Sequence, residues 1–352
     1  MQNYRLKLKI LLILLLTATA LLVAERILAP KPPPLTKREF SEELLGGREL
    51  AVKSPEDLEI ILVGDIMLSR HVGTQMAKAN DWTLPFKKTR DYLLSADITF
   101  GNLESPFLDS GPQVTEGLSF KAEPEAVAGL TQAGFDIVSL ANNHAFDRGR
   151  EGITFTREHL LKNNILSIGA GTNEEETFEP QIIEVNGQKI GFLAFTYFKK
   201  PPFIADLDLE NLKSRLANLK PQADFIIVSL HAGEEYTHEP TEQQKTFARA
   251  AIDAGADIVA GHHPHWVQPV EIYKSKPIFY SLGNFVFDQE WSQETKEGLI
   301  AKIQISNSKI RKIELVPIII ENFCCPRFAN EQESIQILRS INATSTYIFP
   351  KN

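Results

Sequence analysis

Gly261-His262-His263-Pro264-His265 places three imidazoles within four residues. They directly follow Asp257-Ile258-Val259-Ala260, a run that reads as a buried strand opening into a loop. Neutral imidazole ligates transition metals and also transfers protons near neutral pH. A histidine-rich surface loop is the plain alternative. Against it stand four further apolar runs that end in a residue able to bind a metal. Residues 60–63 end at Gly64-Asp65, and 97–100 lead into Gly101-Asn102-Leu103-Glu104. Residues 135–140 run into Asn142-Asn143-His144 and on to Asp147, and 225–230 end at His231. Singly, Asp65 reads as a helix cap, Asn143 as a turn residue and His231 as a core histidine. Together, carboxylate, amide oxygen and imidazole suit Mn, Zn or Fe, held as one or two ions. A pair of ions about 3.5–4 Å apart is a geometry that clamps phosphoryl transfer.

Such a site requires the strand ends to share one edge. Helical patterns at 87–95, 125–132, 151–162, 209–219 and 241–254 alternate with the apolar runs. Gly134 and Gly255 stand where two of these helices should stop. That alternation implies parallel strands covered by helices, with ligands bound at the C-terminal strand ends. Asn186-Gly187 and Asn307-Ser308 each separate two strand-like runs and predict hairpins, hence added antiparallel strands. Residues 278–282 read as a further strand ending at Gly283-Asn284. The expected fold class is α/β, a two-sheet sandwich flanked by helices. It occupies residues 58–320, and no element is predicted for the C-terminal tail at 321–352.

The 352 residues are 43% hydrophobic and 23% charged, with a net charge of −8. An acidic chain of pI near 5.6 is a poor nucleic-acid binder, and any polyanionic partner would need a metal or a local basic cluster. The only two cysteines are neighbours, Cys324-Cys325, and are taken as thiols because a bond between adjacent cysteines is strained. Arg5, Lys7 and Lys9 precede an apolar run over 10–24. Residues 1–29 therefore read as a signal anchor, with cleavage near Ala18-Thr19-Ala20 the alternative. A Pro-rich, charged linker over 30–57 follows. The expected location is the cytoplasmic membrane, single-pass, with the main domain outside.

The motifs also carry a resemblance. Val63-Gly64-Asp65-Ile66-Met67-Leu68-Ser69-Arg70, Gly101-Asn102-Leu103-Glu104, Asn142-Asn143-His144 with Asp147 and Gly149, and His231 with Gly233, Glu235 and Tyr236 resemble the CapA (PgsA) family of capsule-synthesis proteins. So do the histidine cluster and Tyr280-Ser281-Leu282-Gly283-Asn284-Phe285-Val286-Phe287-Asp288, all in order across 58–289. The resemblance implies a branch of the calcineurin-like metallophosphoesterases, associated with poly-γ-glutamate made or exported at the bacterial surface. It implies Asp65, Glu104, Asn143, His231, His263 and His265 as metal ligands, with Glu104 bridging. His144 would protonate a leaving group, oriented by Asp147. Arg70, Asn102, His262, Glu235 and Tyr236 would meet substrate. The sequence leaves His262 and His263 interchangeable as ligands, and Arg70 reads equally as a surface arginine. Asn284 and Asp288 read as turn or supporting residues. One departure is plain: metallophosphoesterases begin Asp-x-His, whereas this chain has Asp65-Ile66-Met67, and a thioether is a poor ligand for a hard dication.

Three functions compete on these grounds. The first is an anchored component of poly-γ-glutamate or capsule synthesis, working with an anionic polymer and other membrane proteins of that process. The second is a metal-dependent hydrolase unconnected with capsule. The third is a non-catalytic polymer-binding scaffold.

Overall fold

The computed structural model describes residues 57–111, 113–115, 117–198 and 202–349. The expected anchor and nearly all of the linker lie outside them. Among the described residues no helix is long and apolar enough to cross a membrane.

Strand β1 (Asp57–Ile66) is apolar on both faces, and the two faces join different cores. Ile60 and Leu62 pack between the sheets, whereas Ile61 and Val63 pack under helices, as the two-residue period of a strand dictates. Beside β1 run β2 (Ile98–Leu103), β3 (Ile137–Ser139) and β4 (Leu166–Ile168), all parallel. The second sheet begins with the hairpin β5 (Gln181–Val185) and β6 (Gln188–Thr196). Its turn residues Asn186 and Gly187 both have positive φ, as a tight hairpin demands. Strands β7 (Phe225–His231) and β8 (Ile258–His262) continue parallel to β6. Next to β8 come β10 (Lys276–Phe279), parallel, and β9 (Val270–Tyr273), antiparallel to β10.

The short β11 (Asn284–Val286) returns the chain to the first sheet beside β1. The long hairpin of β12 (Glu297–Ser306) and β13 (Lys309–Glu321) turns at Asn307-Ser308, and β12 lies antiparallel to β1 on the edge away from β2. Helices α1 (Arg70–Ala79), α2 (Val127–Ala133) and α3 (Gly149–Lys162) cover the first sheet. Helices α4 (Leu209–Leu219) and α5 (Glu242–Asp253) cover the second. The two-sheet sandwich flanked by helices is thus the fold of the chain. Its central core interleaves Phe100, Ile137 and Leu62 with Phe192, Ile227 and Phe279.

Two differences from the sequence reading lie beyond residue 320. The segment after 320 carries β14 (Cys325–Phe328), α6 (Glu331–Ser340) and β15 (Thr346–Ile348), and β14 and β15 both pair with β13. Helix α6 opens with a capping box from Asn330 and Glu333, a signal within a polar stretch of weak periodicity. The neighbouring cysteines, taken as thiols, are joined as a Cys324–Cys325 disulfide. The chain reverses there through Asn322 and Phe323, both left-handed, and buries both sulfurs in the helix-side core.

Candidate metal centre

The C-terminal ends of β1, β2 and β3 in one sheet and of β7 and β8 in the other meet at one place. Two glycines permit the approach. A Cβ on Gly64 would lie 1.9 Å from the Gly283 carbonyl oxygen, and one on Gly261 would lie 2.0 Å from that of Tyr280. Only a bare backbone fits at either position, and each glycine immediately precedes a site residue, Asp65 and His262.

Asp65, Glu104 and His265 are buried, with ligand atoms all within 4.8 Å of one another. His265 Nδ1 stands 3.5 Å from Asp65 Oδ2 and its Nε2 3.9 Å from Glu104 Oε1. That Glu104 oxygen is buried without a hydrogen-bond partner. His265 is oriented by Asn284, whose Oδ1 lies 2.9 Å from Nδ1, the kind of outer contact that sets a ligating imidazole. A second group faces the first. His231 Nε2 is 2.9 Å from Asn143 Oδ1, and the His263 ring is 4.8 Å from that of His231. His263 Nδ1 is also buried and unpartnered.

The side chain reaching both groups is Asn102. Its Nδ2 donates to Asp65 Oδ1 at 2.8 Å, and lies 3.4 Å from Glu104 Oε2 and 3.3 Å from His231 Nδ1. Its Oδ1 accepts from Asn142 Nδ2 at 3.1 Å. Glu104, expected to bridge, therefore lies with Asp65 and His265, and a neutral carboxamide stands between the halves. Met67 turns its sulfur to Ser69, whose N–H and O–H donate to it at 3.2 and 3.0 Å. It packs in the helix-side core.

Electrostatics separate the carboxylates. Burial alone would raise the Asp65 carboxyl, but His262 and His265 outweigh it by hydrogen bonding and charge and hold it well below its usual range. Burial and then the Asp65 charge push Glu104 well above its usual range. Burial, followed by the neighbouring histidines, lowers His231 strongly and His263 to about 3. Both imidazoles are then neutral at physiological pH, the form that ligates a metal, and the buried Nδ1 of His263 has no competing partner.

At the edge of the site His144 Nδ1 lies 2.8 Å from Asp147 Oδ2. Asp147 is itself fixed by the Phe120 N–H at 2.7 Å and the Thr115 hydroxyl at 3.0 Å. Its carboxylate holds the His144 ring so that Nε2 is the free position. Tyr236 is half-buried, stacked 6.0 Å from His265 and edge-on to the exposed Trp291 at 4.6 Å. Glu235 is exposed, and Arg70 pairs with the buried Asp288 at 3.1 Å. Asn102 and His262, expected among the substrate contacts, are both fully buried. His262 stands behind Asp65, its Nδ1 3.4 Å from Asp65 Oδ1 and its ring 6.1 Å from Phe100.

Sequence reasoning passed over Asn142, Phe120 and Trp291, and read Asn284 and Asp288 only as supports. A backbone signal marks the site as well. Arg70, Tyr236, His263 and His265 all have positive φ without being glycine. Each such residue costs about 1 kcal/mol or more and persists only where surrounding contacts enforce it.

A family model described as bacterial capsule synthesis protein PGA_cap matches residues 59–289. The chain is 33% identical over 282 residues to "Capsule biosynthesis protein CapA" of Bacillus anthracis, covering 76% of this chain and 68% of that one. It is 32% identical over 276 residues to "PGA biosynthesis protein CapA" of Bacillus subtilis, covering 75% of this chain and 72% of that one. A hypothetical protein from Thermus thermophilus shares the fold at a TM-score of 0.50 and 16% identity, covering 74% of this chain and 98% of that one. The chain belongs to the bacterial capsule synthesis protein family represented by CapA.

Proposed function

We propose that this protein is a membrane-anchored, extracytoplasmic member of a poly-γ-glutamate or capsule-polymer assembly line, and that its strand-end site is a divalent-metal hydrolytic centre. One observation carries the metal reading. Asp65, Glu104 and His265 converge within 4.8 Å in a buried site, and Glu104 Oε1 and His263 Nδ1 lack partners there. Buried polar atoms of this kind are normally satisfied, and the donor set suits Mn, Zn or Fe. A bound cation would polarise the electrophile and make water a nucleophile at neutral pH.

The chain's own residues supply the rest. Asp65, Glu104 and His265 offer two carboxylates and an imidazole for one firmly held ion. Asn143, His231 and His263 offer only neutral donors, so a second ion there is held more weakly. Asp147 fixes the His144 ring, leaving Nε2 to deliver a proton to the departing oxygen. Asn102 holds the two halves together. The family's connection with polymer synthesis and the apolar run over 10–24 support the anchored, capsule-directed part of the reading.

Metal content of the purified full-length chain is the test. About one tightly bound transition-metal ion per chain is expected, lost in Glu104→Ala and in His265→Ala, with metal-dependent hydrolysis of simple phosphoesters. A folded, metal-free protein that fails to take up Mn or Zn would overturn the reading and leave a polymer-binding scaffold. Membrane fractionation tests the anchor: loss of residues 1–29 should release the protein to the soluble fraction.

A further inference from the structure

One cationic side chain at the site is held in a way that the donor set does not explain. Arg70 follows Asp65 by five residues, at the first position of α1, with φ of 53°. Its guanidinium lies 3.1 Å from Asp288, whose side chain is completely buried while that of Arg70 is 33% exposed. The other oxygen of Asp288 accepts from the His71 N–H at 3.1 Å and lies 3.3 Å from His71 Nδ1, so the carboxylate is held in place by the same turn. Asp288 is the ion-pair partner of the Arg70 guanidinium, which carries five N–H donors. With a third of its side chain exposed, Arg70 is open to solvent on the site side of that pair. The same guanidinium lies 5.5 Å from the centre of the Phe120 ring, and Phe120 is packed 3.9 Å from the ring of His144. Arg70 is thus fixed within one aromatic ring of the residue placed to protonate the leaving group.

Position decides what such a charge can recognise. On the hydrolytic reading, the group under attack would be held on the Asp65, Glu104 and His265 side of the site. A charge beside His144 is next to the departing fragment. A neutral departing fragment would make no use of it, whereas a carboxylate or phosphate there would pair with the free donors of a guanidinium already immobilised by Asp288. We propose that Arg70 reads a negative charge on the leaving group, so that the site takes phosphoesters or phosphoanhydrides whose leaving group carries its own carboxylate or phosphate. This rests on the hydrolytic reading above. In the reaction the water oxygen forms the new P–O bond, and the P–O bond to the leaving group breaks with its electron pair going to the leaving oxygen. That oxygen takes a proton from His144, and a proton from the attacking water restores the one His144 has lost.

The test compares phenyl phosphate with 3-carboxyphenyl phosphate and inorganic pyrophosphate, using the full-length, metal-loaded protein and its Arg70→Met and Arg70→Lys variants. The two aryl esters differ mainly in the charge of the leaving group, and pyrophosphate separates phosphate from carboxylate as its source. The wild-type chain should favour the charged substrates by about 10-fold or more in kcat/KM, the scale of a charge-assisted hydrogen bond. Arg70→Met should bring that ratio close to one, and Arg70→Lys should restore part of it, which a merely structural role would not do. Equal ratios in the wild type and Arg70→Met overturn the proposal. If no substrate turns over, the hydrolytic reading fails by itself, and calorimetric binding of 3-carboxyphenyl phosphate decides for Arg70. Binding weakened about 10-fold in Arg70→Met with recovery in Arg70→Lys supports it, and equal binding ends it.

Discussion

At the scale of single residues, Asp65 and Glu104 share one buried space yet are pushed in opposite directions, Asp65 down and Glu104 up. Without a cation Glu104 therefore holds its proton to higher pH than an ordinary carboxyl, and a divalent ion competes with that proton. Metal uptake is expected to release about one proton per ion, and affinity to rise with pH until Glu104 is ionised without help. Calorimetry of Mn or Zn binding in buffers of different ionisation enthalpy measures the proton count, and Glu104→Gln should abolish it. Asn102 gives a second expectation. Its amide donates to Asp65 where an aspartate would instead bridge the halves, so Asn102→Asp should add a second bound ion per chain, read by elemental analysis. The variant should also be less stable without metal, because three carboxylates then share one buried site. The histidines and acids were legible in the sequence because each follows an apolar run. The role of Asn102 was not, since which side chain bridges depends on distances that no spacing records. Nor was the tie between Arg70 and Asp288, which joins residues 218 positions apart in the chain.

At the scale of elements, the strands that carry the site were readable and their neighbours less so. Apolar runs marked β1, β2, β7 and β8, and Asn186-Gly187 and Asn307-Ser308 marked the hairpins β5–β6 and β12–β13, but not β9–β10. Helix α1 escaped because Arg70–Ala79 buries only Val72 and Met76 along its length, too few apolar positions to show a helical period. Strands β4 and β11 span three residues each, below what alternation can reveal. The close approach of β1 to the Gly283 carbonyl was also invisible, and it yields a contrast between two glycines. Gly64→Ala forces a Cβ to within 1.9 Å of backbone, so β1 or the Gly283 segment must shift. A loss of about 3 kcal/mol is expected, with weakened metal binding because Asp65 moves. Gly187→Ala meets nothing within 4 Å and suffers only from its positive φ, so about 1 kcal/mol is expected with metal binding intact. Chemical denaturation and a metal titration of both variants separate the two mechanisms.

At the scale of the whole molecule, the stretch that identifies the family is shorter than the unit that folds. The family match ends at 289, whereas β12 pairs with β1 from Asp57↔Ser306 to Leu62↔Ala301. The strand that presents Asp65 therefore has one side covered by sequence beyond the match. That later segment also buries Leu299, Ile303, Ile305, Ile313 and Leu315 between the sheets, and Ile337 of α6 and Ile341 just after it join the same core. Each such side chain contributes about 1.5–3 kcal/mol on burial, so together they rival the roughly 5–15 kcal/mol by which a native protein is stable. A chain ending at Gln289 would also leave β1 with an open, apolar edge, which invites pairing with other chains. Truncation there is expected to give aggregated protein without a cooperative unfolding transition. Truncation after Ala329, which keeps β12 to β14, should still fold but unfold at lower temperature. Calorimetry of the two truncations beside the full chain decides this. Cooperative unfolding of the shorter one would show that the site's sheet stands without its C-terminal hairpin, and that the strand ends are positioned by the parallel strands alone.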